Sequence, residues 1–137
     1  MSPDGKEVIM EKRVIQSASA PTALGPYSQA VRWGNLLFLS GQVGIDPASG
    51  KLVGGGVEAE TRQVFRNIEA VLLAAGINFR RLLKTTVFLK DMAHFKAVNE
   101  IYAEHVPPPY PARAAFAVSD LPLGAEVEIE AIAAMMD

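Results

Sequence analysis

The chain has 137 residues, of which 50% are hydrophobic and 20% are charged. This length suits one domain with a real core, and no apolar run reaches the roughly 18–20 residues that cross a bilayer. The formal net charge of −2 provides no general basic field for nucleic acid or anionic lipid. The chain has no cysteine, which excludes disulfides, thiolate nucleophiles and cysteine-ligated metals and fits a cytoplasmic location.

The first ten residues differ from the rest of the chain. They hold Asp4, Lys6 and Glu7 and lack the apolar stretch of a secretory signal. We therefore expect residues 1–10 to form a flexible leader and residues 11–137 to form a single domain.

The first half of the chain predicts three strands and a long helix. The strands span residues 13–16, 29–33 and 36–40. The last two flank Gly34-Asn35, a two-residue turn typical of a hairpin. Residues 41–56 are rich in turn residues and predict a loop. Residues 57–75 have apolar side chains at three- and four-residue spacing, which predicts an amphipathic helix that ends at Gly76.

The second half of the chain alternates strands with a second helix. Residues 82–90 are rich in Thr, Val, Leu and Phe and predict a strand. Asp91 is a candidate cap for a helix over residues 92–105, which the prolines at 107–109 end. The last two predicted strands span residues 112–118 and 126–135.

The order β β β α β α β β predicts an α+β domain, with two helices covering one face of a six-stranded sheet. The last strand alternates an apolar set with a mixed set, and the mixed set comprises Glu126, Glu128, Glu130 and Ile132. We expect the second face of the sheet to pack against other copies of the chain. Otherwise Ile132, Phe116 and Phe88 would enlarge an exposed apolar patch.

One arginine stands in an unusual setting. Arg113 begins a strand after a proline-rich segment, and the small residues that follow it leave room for a ligand. Its planar guanidinium suits bidentate binding of a carboxylate. On spacing alone, the stronger interpretation is a structural salt bridge to Glu126, Glu128 or Glu130.

Other candidate positions each have two interpretations. Tyr27 is either a loop aromatic that contacts a ligand or a residue packed on the sheet edge. Ser40-Gly41 end a strand where backbone N–H groups become free, or simply leave the sheet. Glu128 shares a face with Glu130, which also fits a solvated acidic face, and Asn99 by itself indicates a surface residue.

Common metal and nucleotide motifs are missing from the chain. His94 and His105 are eleven residues apart with no ligand pattern around them, so we predict surface positions and no metal site. The glycine spacing in residues 44–51 does not match a phosphate loop and indicates a turn.

Seven short motifs follow one another between about Val14 and about Ala133. They span residues 25–31, 40–42, 61–63, 84–87, 98–99, 111–113 and 127–133. In this order and over nearly the whole chain, they make the sequence resemble the Rid family, also called YjgF-like or reactive-intermediate deaminases.

The resemblance implies a chorismate-mutase-like α+β fold and a homotrimer with pockets between subunits. It also implies hydrolysis of 2-iminobutanoate, 2-iminopropanoate and their enamine tautomers to 2-keto acids and ammonia. The family's reaction uses no metal and no cofactor.

The resemblance assigns roles to individual residues as well. The implied substrate pocket comprises Arg113, Tyr27, Ser40, Gly41, Phe95, Asn99 and Ala115. Arg113 holds the carboxylate, Glu128 helps to position water and Tyr27 is a candidate proton relay. Phe95 and Asn99 are expected from a neighbouring chain.

Two features of this chain depart from the family pattern. Ala115 stands where some relatives carry a cysteine, which favours attack by water over a covalent mechanism. The run from Val106 to Tyr110 holds three prolines, which bears on the pocket rim and on substrate preference.

Two further functions remain open. A trimer that binds keto acids or other small carboxylates without turnover would use Arg113 equally well. An RNA-cleaving translation inhibitor fits less well, because the net charge is −2 and the chain has no stripe of alternating basic and aromatic residues.

Overall fold

A computed structural model describes residues 10–136 of the chain. The predicted leader, residues 1–10, lies outside the described residues except for Met10. We therefore retain the leader and the single domain over residues 11–137 as predictions.

The centre of the fold is a six-stranded mixed sheet. Its strands are β1 (Lys12–Ile15), β2 (Ala30–Trp33), β3 (Leu36–Gln42), β6 (Leu82–Leu89), β7 (Ala112–Ala117) and β8 (Val127–Ala134). The strand order is β1-β2-β3-β8-β6-β7, and among these described strands only β6 and β7 pair in parallel. All six predicted strands are confirmed to within two residues at each end.

The predicted loop over residues 41–56 contains more structure than the turn residues indicate. Strand β3 continues to Gln42, and a small hairpin follows, formed by β4 (Ile45–Asp46) and β5 (Lys51–Leu52). Its turn is closed by the amide of Gly50, which donates to the carbonyl of Asp46 at 2.8 Å. Each of these strands has two residues, too short for an alternating pattern to be visible in the sequence.

Two helices complete the domain. Helix α1 spans Val57–Ala74, as the periodicity predicts. Helix α2 spans Phe95–His105, and a 3₁₀ turn over Met92–His94 precedes it. Asp91 is confirmed as the cap, but of the 3₁₀ turn, because its side chain accepts from the amide of Ala93 at 2.9 Å.

The main core lies between the two helices and one face of the sheet. Its fully buried members include Val64 and Leu72 of α1, Val98 of α2, and Leu89 and Ile129 of the sheet. A smaller cluster of Val43, Leu121 and Ala125 is separate from it. The prediction of an α+β domain with a mixed sheet and two helices is confirmed.

No helix of the described residues covers the opposite face of the sheet. Leu36, Phe38 and Phe116 are exposed there, and the Phe88 and Phe116 rings make an edge-to-face contact with centroids 5.4 Å apart. We call this the open face. The alternation of an apolar and a mixed set of side chains along β8 predicts this combination of aromatic and acidic residues on one face.

Asn67, on α1, connects the helix to the start of the small hairpin. Its side-chain amide is fully buried, donates to the carbonyls of Val43 and Ile45 at 3.2 and 2.9 Å, and accepts from the Gln63 side chain at 2.9 Å. A buried polar group that is left without a hydrogen-bond partner lowers stability by more than a typical hydrogen bond adds to it, because the group stays removed from water.

We expect Asn67→Ala to lower the free energy of unfolding by roughly 2–4 kcal/mol, because two carbonyls and the Gln63 amide lose their partner. Urea unfolding at one fixed protein concentration measures the change. Leu73→Ala on the same helix is the control, since Leu73 is 60% exposed and its loss should cost little. Equal unfolding midpoints for Asn67→Ala and the unmodified chain would contradict this role.

Candidate active site

Arg113 is the second residue of β7 and faces helix α2. Its Nη1 donates to Oδ1 of Asn99 at 2.7 Å. Asn99 and Tyr102 lie three residues apart on α2, so both side chains are on the helix face that meets β7. The strand and the helix therefore fix the guanidinium from two sides.

Aromatic rings support the same guanidinium. The Cζ atom of Arg113 lies 4.8 Å from the centroid of the Tyr102 ring and 5.6 Å from that of Phe95. Tyr102 is itself held in the core, where its hydroxyl shares a 2.7 Å hydrogen bond with Oγ1 of Thr85. Cation–π contacts at exposed sites are worth about 0.5–1 kcal/mol each. Their main effect here is orientation, because the rings cannot move without disturbing the core.

The structural salt bridge that spacing alone favours for Arg113 is not formed. Glu126 instead lies 3.1 Å from Nε2 of His94, and no carboxylate among residues 10–136 is paired with Arg113. The arginine is exposed, and it borders a depression of about 470 Å³ lined by Asn99, Tyr102, Ala103, Tyr110, Pro111 and Arg113 itself. We call this group of residues the arginine half-site.

The expectation that Phe95 and Asn99 join Tyr27, Ser40 and Gly41 from a neighbouring chain stays a prediction, but no neighbour is needed to bring them to Arg113. Both residues contact Arg113 within one chain. Only residues 106–111 separate α2 from β7, so the strand returns directly beside the helix that precedes it. Ala115 lies two residues further along the same face of β7, is partly buried against the main core, and does not line the depression.

Four other predicted residues meet elsewhere. Tyr27, Ser40, Gly41 and Glu128 line a cavity of about 560 Å³. Its remaining lining residues are Pro21, Thr22, Leu24, Gln29, Gln42, Val43, Ile45, Pro122, Leu123 and Glu130. We call this the acidic half-site, because its lining among residues 10–136 contains two carboxylates and no lysine or arginine.

A bulge in β3 shapes the acidic half-site. Leu39 pairs with Ala131 and Gln42 with Ile129, so two residues of β3, Ser40 and Gly41, stand opposite one residue of β8. Such bulges re-aim the chain next to functional sites. A Cβ on Gly41 would lie 2.7 Å from Oε1 of Glu128, so only glycine lets this carboxylate rest against the backbone.

The loop that carries Tyr27 is fastened by Gln29, a residue to which the sequence assigned no role. Its buried side chain donates to the carbonyls of Ser17 and Pro21 at 3.1 and 2.8 Å and accepts from the amide of Ser17 at 2.7 Å. Its only sequence signal is a glutamine at the first position of a predicted strand. Ser40 adds a 2.6 Å bond from its hydroxyl to the carbonyl of Ser28.

Glu128 is half-buried and is the carboxylate with the clearest electrostatic perturbation in the acidic half-site. Burial raises the pKa of Glu128, and the neighbouring charge of Glu130 raises it further. A carboxylate whose pKa is raised is a stronger base than an ordinary glutamate and is better suited to accept a proton. The half-site therefore has an acid–base group but no cation to bind an anionic substrate.

The sheet separates the two half-sites within one chain. Arg113 pairs with Thr85, which pairs with Ala131, and these residues face the helices. Glu128 pairs with Phe88, which pairs with Phe116, and these residues face the open side. Arg113 and Glu128 of the same chain therefore lie on opposite faces and cannot contact one substrate together.

The two histidines are less exposed than predicted. His94 pairs with Glu126, and the ring of His105 stacks on Phe65 with centroids 4.7 Å apart. No group of three metal-binding side chains occurs in the described part of the chain. Within residues 10–136, no helix is both long enough and apolar enough to span a membrane.

Together, the fold and the half-sites define a small α+β ligand-binding domain with an exposed arginine and a separate acidic cavity. The family model described as "Endoribonuclease L-PSP" matches residues 17–135. This chain is therefore a member of that family, to which the Rid, or YjgF-like, proteins belong, as the sequence motifs predict.

Individual relatives agree with this assignment. The chain is 50% identical over 122 residues to the human 2-iminobutanoate/2-iminopropanoate deaminase, covering 89% of each chain. It matches the solved structure of a Rid-family protein, YyfA from Yersinia pestis, with a TM-score of 0.86 and 46% identity, covering 90% of this chain and 99% of that one. It also matches E. coli TdcF with bound serine, with a TM-score of 0.82 and 36% identity over 89% and 98% of the two chains.

We expect Glu130→Gln to lower the pKa of Glu128 but to leave it above that of an ordinary glutamate, because burial is the larger cause and remains. Carbon-13 NMR titration of the Glu128 carboxyl measures the change, with Glu69→Gln on exposed helix surface as the control. An unchanged Glu128 pKa in Glu130→Gln would contradict the assigned coupling.

The same pKa shift contributes to the pH dependence of stability. Folded Glu128 keeps its proton to higher pH than the unfolded chain does, so the contribution of Glu128 to the unfolding free energy falls as pH rises through the interval between the two pKa values.

Proposed function

We propose that this protein is a 2-iminobutanoate/2-iminopropanoate deaminase that hydrolyses reactive 2-imino acids and their enamine tautomers to 2-keto acids and ammonia. The observation that carries the proposal is the Arg113 guanidinium, exposed, fixed by Asn99 and Tyr102, and paired with no carboxylate of residues 10–136. An oriented and unpaired guanidinium suits bidentate capture of a carboxylate. The name of the human relative and the serine bound to E. coli TdcF both fit a small substrate with a carboxylate beside a C–N bond.

The active site is assembled from two copies of the chain in a homotrimer. The arginine half-site of one copy supplies the cation, and the acidic half-site of the next supplies Tyr27, Ser40, Gly41 and Glu128. Two observations support this arrangement: each half-site lacks what the other contains, and the open face leaves Phe38 and Phe116 uncovered in a single chain. Packing of the open faces of three copies would cover these aromatic side chains.

Hydrolysis requires attack of water on the imine carbon. Arg113 fixes the substrate carboxylate, so that C2 lies against the acidic half-site of the other copy. Glu128, in its ionised form, accepts a proton as the water oxygen bonds to C2 and the C=N electron pair moves to nitrogen. Nitrogen takes this proton from Glu128 through the Tyr27 hydroxyl, which gives the carbinolamine. Glu128 then accepts the proton of the new hydroxyl group, the same relay protonates nitrogen, the C–N bond breaks to release ammonia, and the C–O bond becomes the carbonyl of the keto acid.

The proposed chemistry has modest requirements. The imine carbon is already electrophilic, so orientation and proton transfer suffice and neither a metal nor an organic cofactor has a step to perform. Threonine and serine dehydratases release substrates of this kind. We also propose a cytoplasmic location, where such by-products form.

The alternative functions are less consistent with the half-sites. For RNA cleavage, the two carboxylates of the acidic half-site would repel a phosphodiester, and no lysine or arginine among its described lining residues would attract one. For carboxylate binding without turnover, Arg113 would suffice, and the shifted pKa of Glu128 would have no role. The hydrolase is therefore our conclusion.

We expect Arg113→Ala to fold but to lose imine hydrolysis by about a hundredfold or more, because two charge-assisted hydrogen bonds to the carboxylate are lost. Arg113→Lys should recover little of it, since an ammonium cannot form the bidentate pair. The assay couples a threonine dehydratase to keto-acid release with and without the protein. Arg80→Ala, at another exposed arginine, is the control, and full activity of folded Arg113→Ala would refute the proposal.

Mixing two inactive variants tests whether the site lies between chains. The Arg113→Ala and Glu128→Gln variants are mixed in equal amounts, unfolded and refolded together. We expect the mixture to recover about a quarter of the unmodified activity, because random assembly joins an intact arginine half-site to an intact acidic half-site in about one site in four. Each variant refolded alone is the control. If the mixture is no more active than either variant, both half-sites act within one chain and the proposed assembly is wrong.

A further inference from the structure

Glu60, in the first turn of α1, is the one charged residue that is buried within residues 10–136. Its side chain is 7% exposed, and its Oε1 accepts a hydrogen bond from the backbone amide of Glu126 at 2.9 Å. Acidic side chains are rarely buried unless a partner compensates for the lost water. The partner here is a backbone group just before β8, so Glu60 joins helix α1 to the strand that carries Glu128.

The ionisation state of Glu60 does not decide whether this bond forms. Burial raises the pKa of Glu60, whereas the bond from the Glu126 amide lowers it. A carboxylate and a carboxylic acid both offer an oxygen that accepts from an N–H group. The position therefore requires an acceptor at the reach of a glutamate, which the side chain of glutamine also provides.

Glu126 is connected to two further elements. Its carbonyl accepts from the amide of Lys90 at 3.0 Å, and its carboxylate lies 3.1 Å from Nε2 of His94. Lys90 directly follows β6, and His94 belongs to the 3₁₀ turn before α2. With the bond to Glu60, the entry to β8 is held by three elements at a point two residues before Glu128.

The same turn of α1 also meets the segment that follows β3. A Cβ on Gly44 would lie 2.8 Å from both the Cα atom and the carbonyl oxygen of Glu60, so only glycine lets the two backbones approach this closely. Gly44 comes three residues after Gly41. Glu60 therefore contacts the chain near both strands of the acidic half-site, close to Glu128 on β8 and close to the bulge of β3.

The ladder between β3 and β8 is irregular beside Glu128. The register shifts between Leu39 and Gln42, and a bulge weakens the pairing locally. The Glu128 carboxylate rests against the backbone of Gly41, so a displacement of β8 changes where this carboxylate points. Helix α1 provides a fixed support for the strand, because its residue Val64 is fully buried in the main core.

We propose that Glu60 is a positioning residue for the hydrolysis, because its hydrogen bond to the Glu126 amide holds the start of β8 and aligns Glu128 to accept the proton of the attacking water. The inference rests on the proposed hydrolysis and adds a residue that does not line the cavity. Glu60 acts only through the backbone of the two strands. The alignment of a reacting group within a fraction of an ångström is a large part of such catalysis.

The test compares Glu60→Met with Glu60→Gln, with the imino acid generated in the assay from alanine by an amino acid oxidase. Methionine has a similar length and stays buried, but its thioether is a weak acceptor, whereas glutamine keeps the acceptor oxygen. We expect Glu60→Met to lower kcat about tenfold or more, because an error of about 1 Å at a reacting group costs about a hundredfold. KM should stay nearly unchanged, since Arg113 binds the carboxylate from another strand, and Glu60→Gln should keep most of kcat.

The pKa of Glu128, measured by carbon-13 NMR titration, is a second readout that a general loss of stability would not change. Burial and the charge of Glu130 raise this pKa, so a change in a variant at position 60 reports movement of Glu128. In Glu60→Met the pKa should fall toward that of an ordinary glutamate, because a displaced β8 exposes the carboxylate to water. In Glu60→Gln it should remain raised.

Three further variants separate the hydrogen bond from other effects. Glu58→Ala removes an exposed carboxylate from the same turn of α1 and should leave kcat and the Glu128 pKa unchanged. Val64→Ala leaves a cavity in the main core and lowers stability, yet the folded protein should keep both values. Gly44→Ala presses on Glu60 from β3, so it should reproduce the loss of kcat and decides the matter if Glu60→Met fails to fold.

An unchanged kcat or an unchanged Glu128 pKa in folded Glu60→Met would overturn the proposal. An equal loss of kcat in Glu60→Gln or in Val64→Ala would also overturn it, because the acceptor oxygen would then not be what matters. Failure of the proposed hydrolysis gives a different result. The unmodified protein would then accelerate no imino acid hydrolysis, while the NMR titrations would still show whether Glu60 positions Glu128.

Discussion

Side chains along a β-strand point alternately to the two faces of the sheet, and the placement of both half-sites depends on this constraint. Arg113 on β7 and Glu128 on β8 occupy opposite faces because the register through β6 places them in different sets. A shift of one residue in either pairing would bring the arginine to the open side. The register thus determines which functional groups one chain can bring together.

This separation has an electrostatic benefit. Within one chain, a guanidinium within reach of Glu128 or Glu130 would form an ion pair, whereas in the proposed site the substrate lies between Arg113 of one copy and the acidic half-site of the next. The arginine is oriented instead by a neutral amide and by aromatic rings, which hold it without cancelling its charge. No lysine or arginine of residues 10–136 lines the cavity that holds Glu128, and burial and the charge of Glu130 raise its pKa. Arg113 thus keeps its positive charge for the substrate carboxylate, and Glu128 keeps the raised pKa that the proposed proton transfer uses.

Much of the fold follows from local patterns in the sequence. Long amphipathic repeats predict α1, and alternation along β8 predicts one covered and one open face. The hairpin of β4 and β5 is too short for such a pattern, and it depends on buried Asn67, whose partners are more than twenty residues away in the sequence. Burial of that amide becomes visible only when α1 packs on the sheet.

The site could be predicted residue by residue but not as an arrangement. The motifs identify Arg113, Tyr27, Ser40, Gly41 and Glu128, yet motif order contains no information on which face each side chain occupies. The spacing argument for a salt bridge at Arg113 is wrong because Glu126 pairs with His94, whereas Glu128 and Glu130 lie on the opposite face of the sheet. The role of Gln29 was missed because it depends on carbonyls of a loop whose path the sequence does not specify.

The separation of the hydrophobic core into two clusters has a consequence for motion. Tyr102, which supports Arg113, belongs to the large cluster, whereas Val43, which lines the acidic half-site, belongs to the small one together with Leu121. Segments with few buried apolar contacts open locally at a lower free energy than the whole domain unfolds. Amide hydrogens around Val43 and Leu121 should therefore exchange with solvent sooner than those of β6 or α1. The wall of the cavity can loosen to release product while the arginine platform stays rigid.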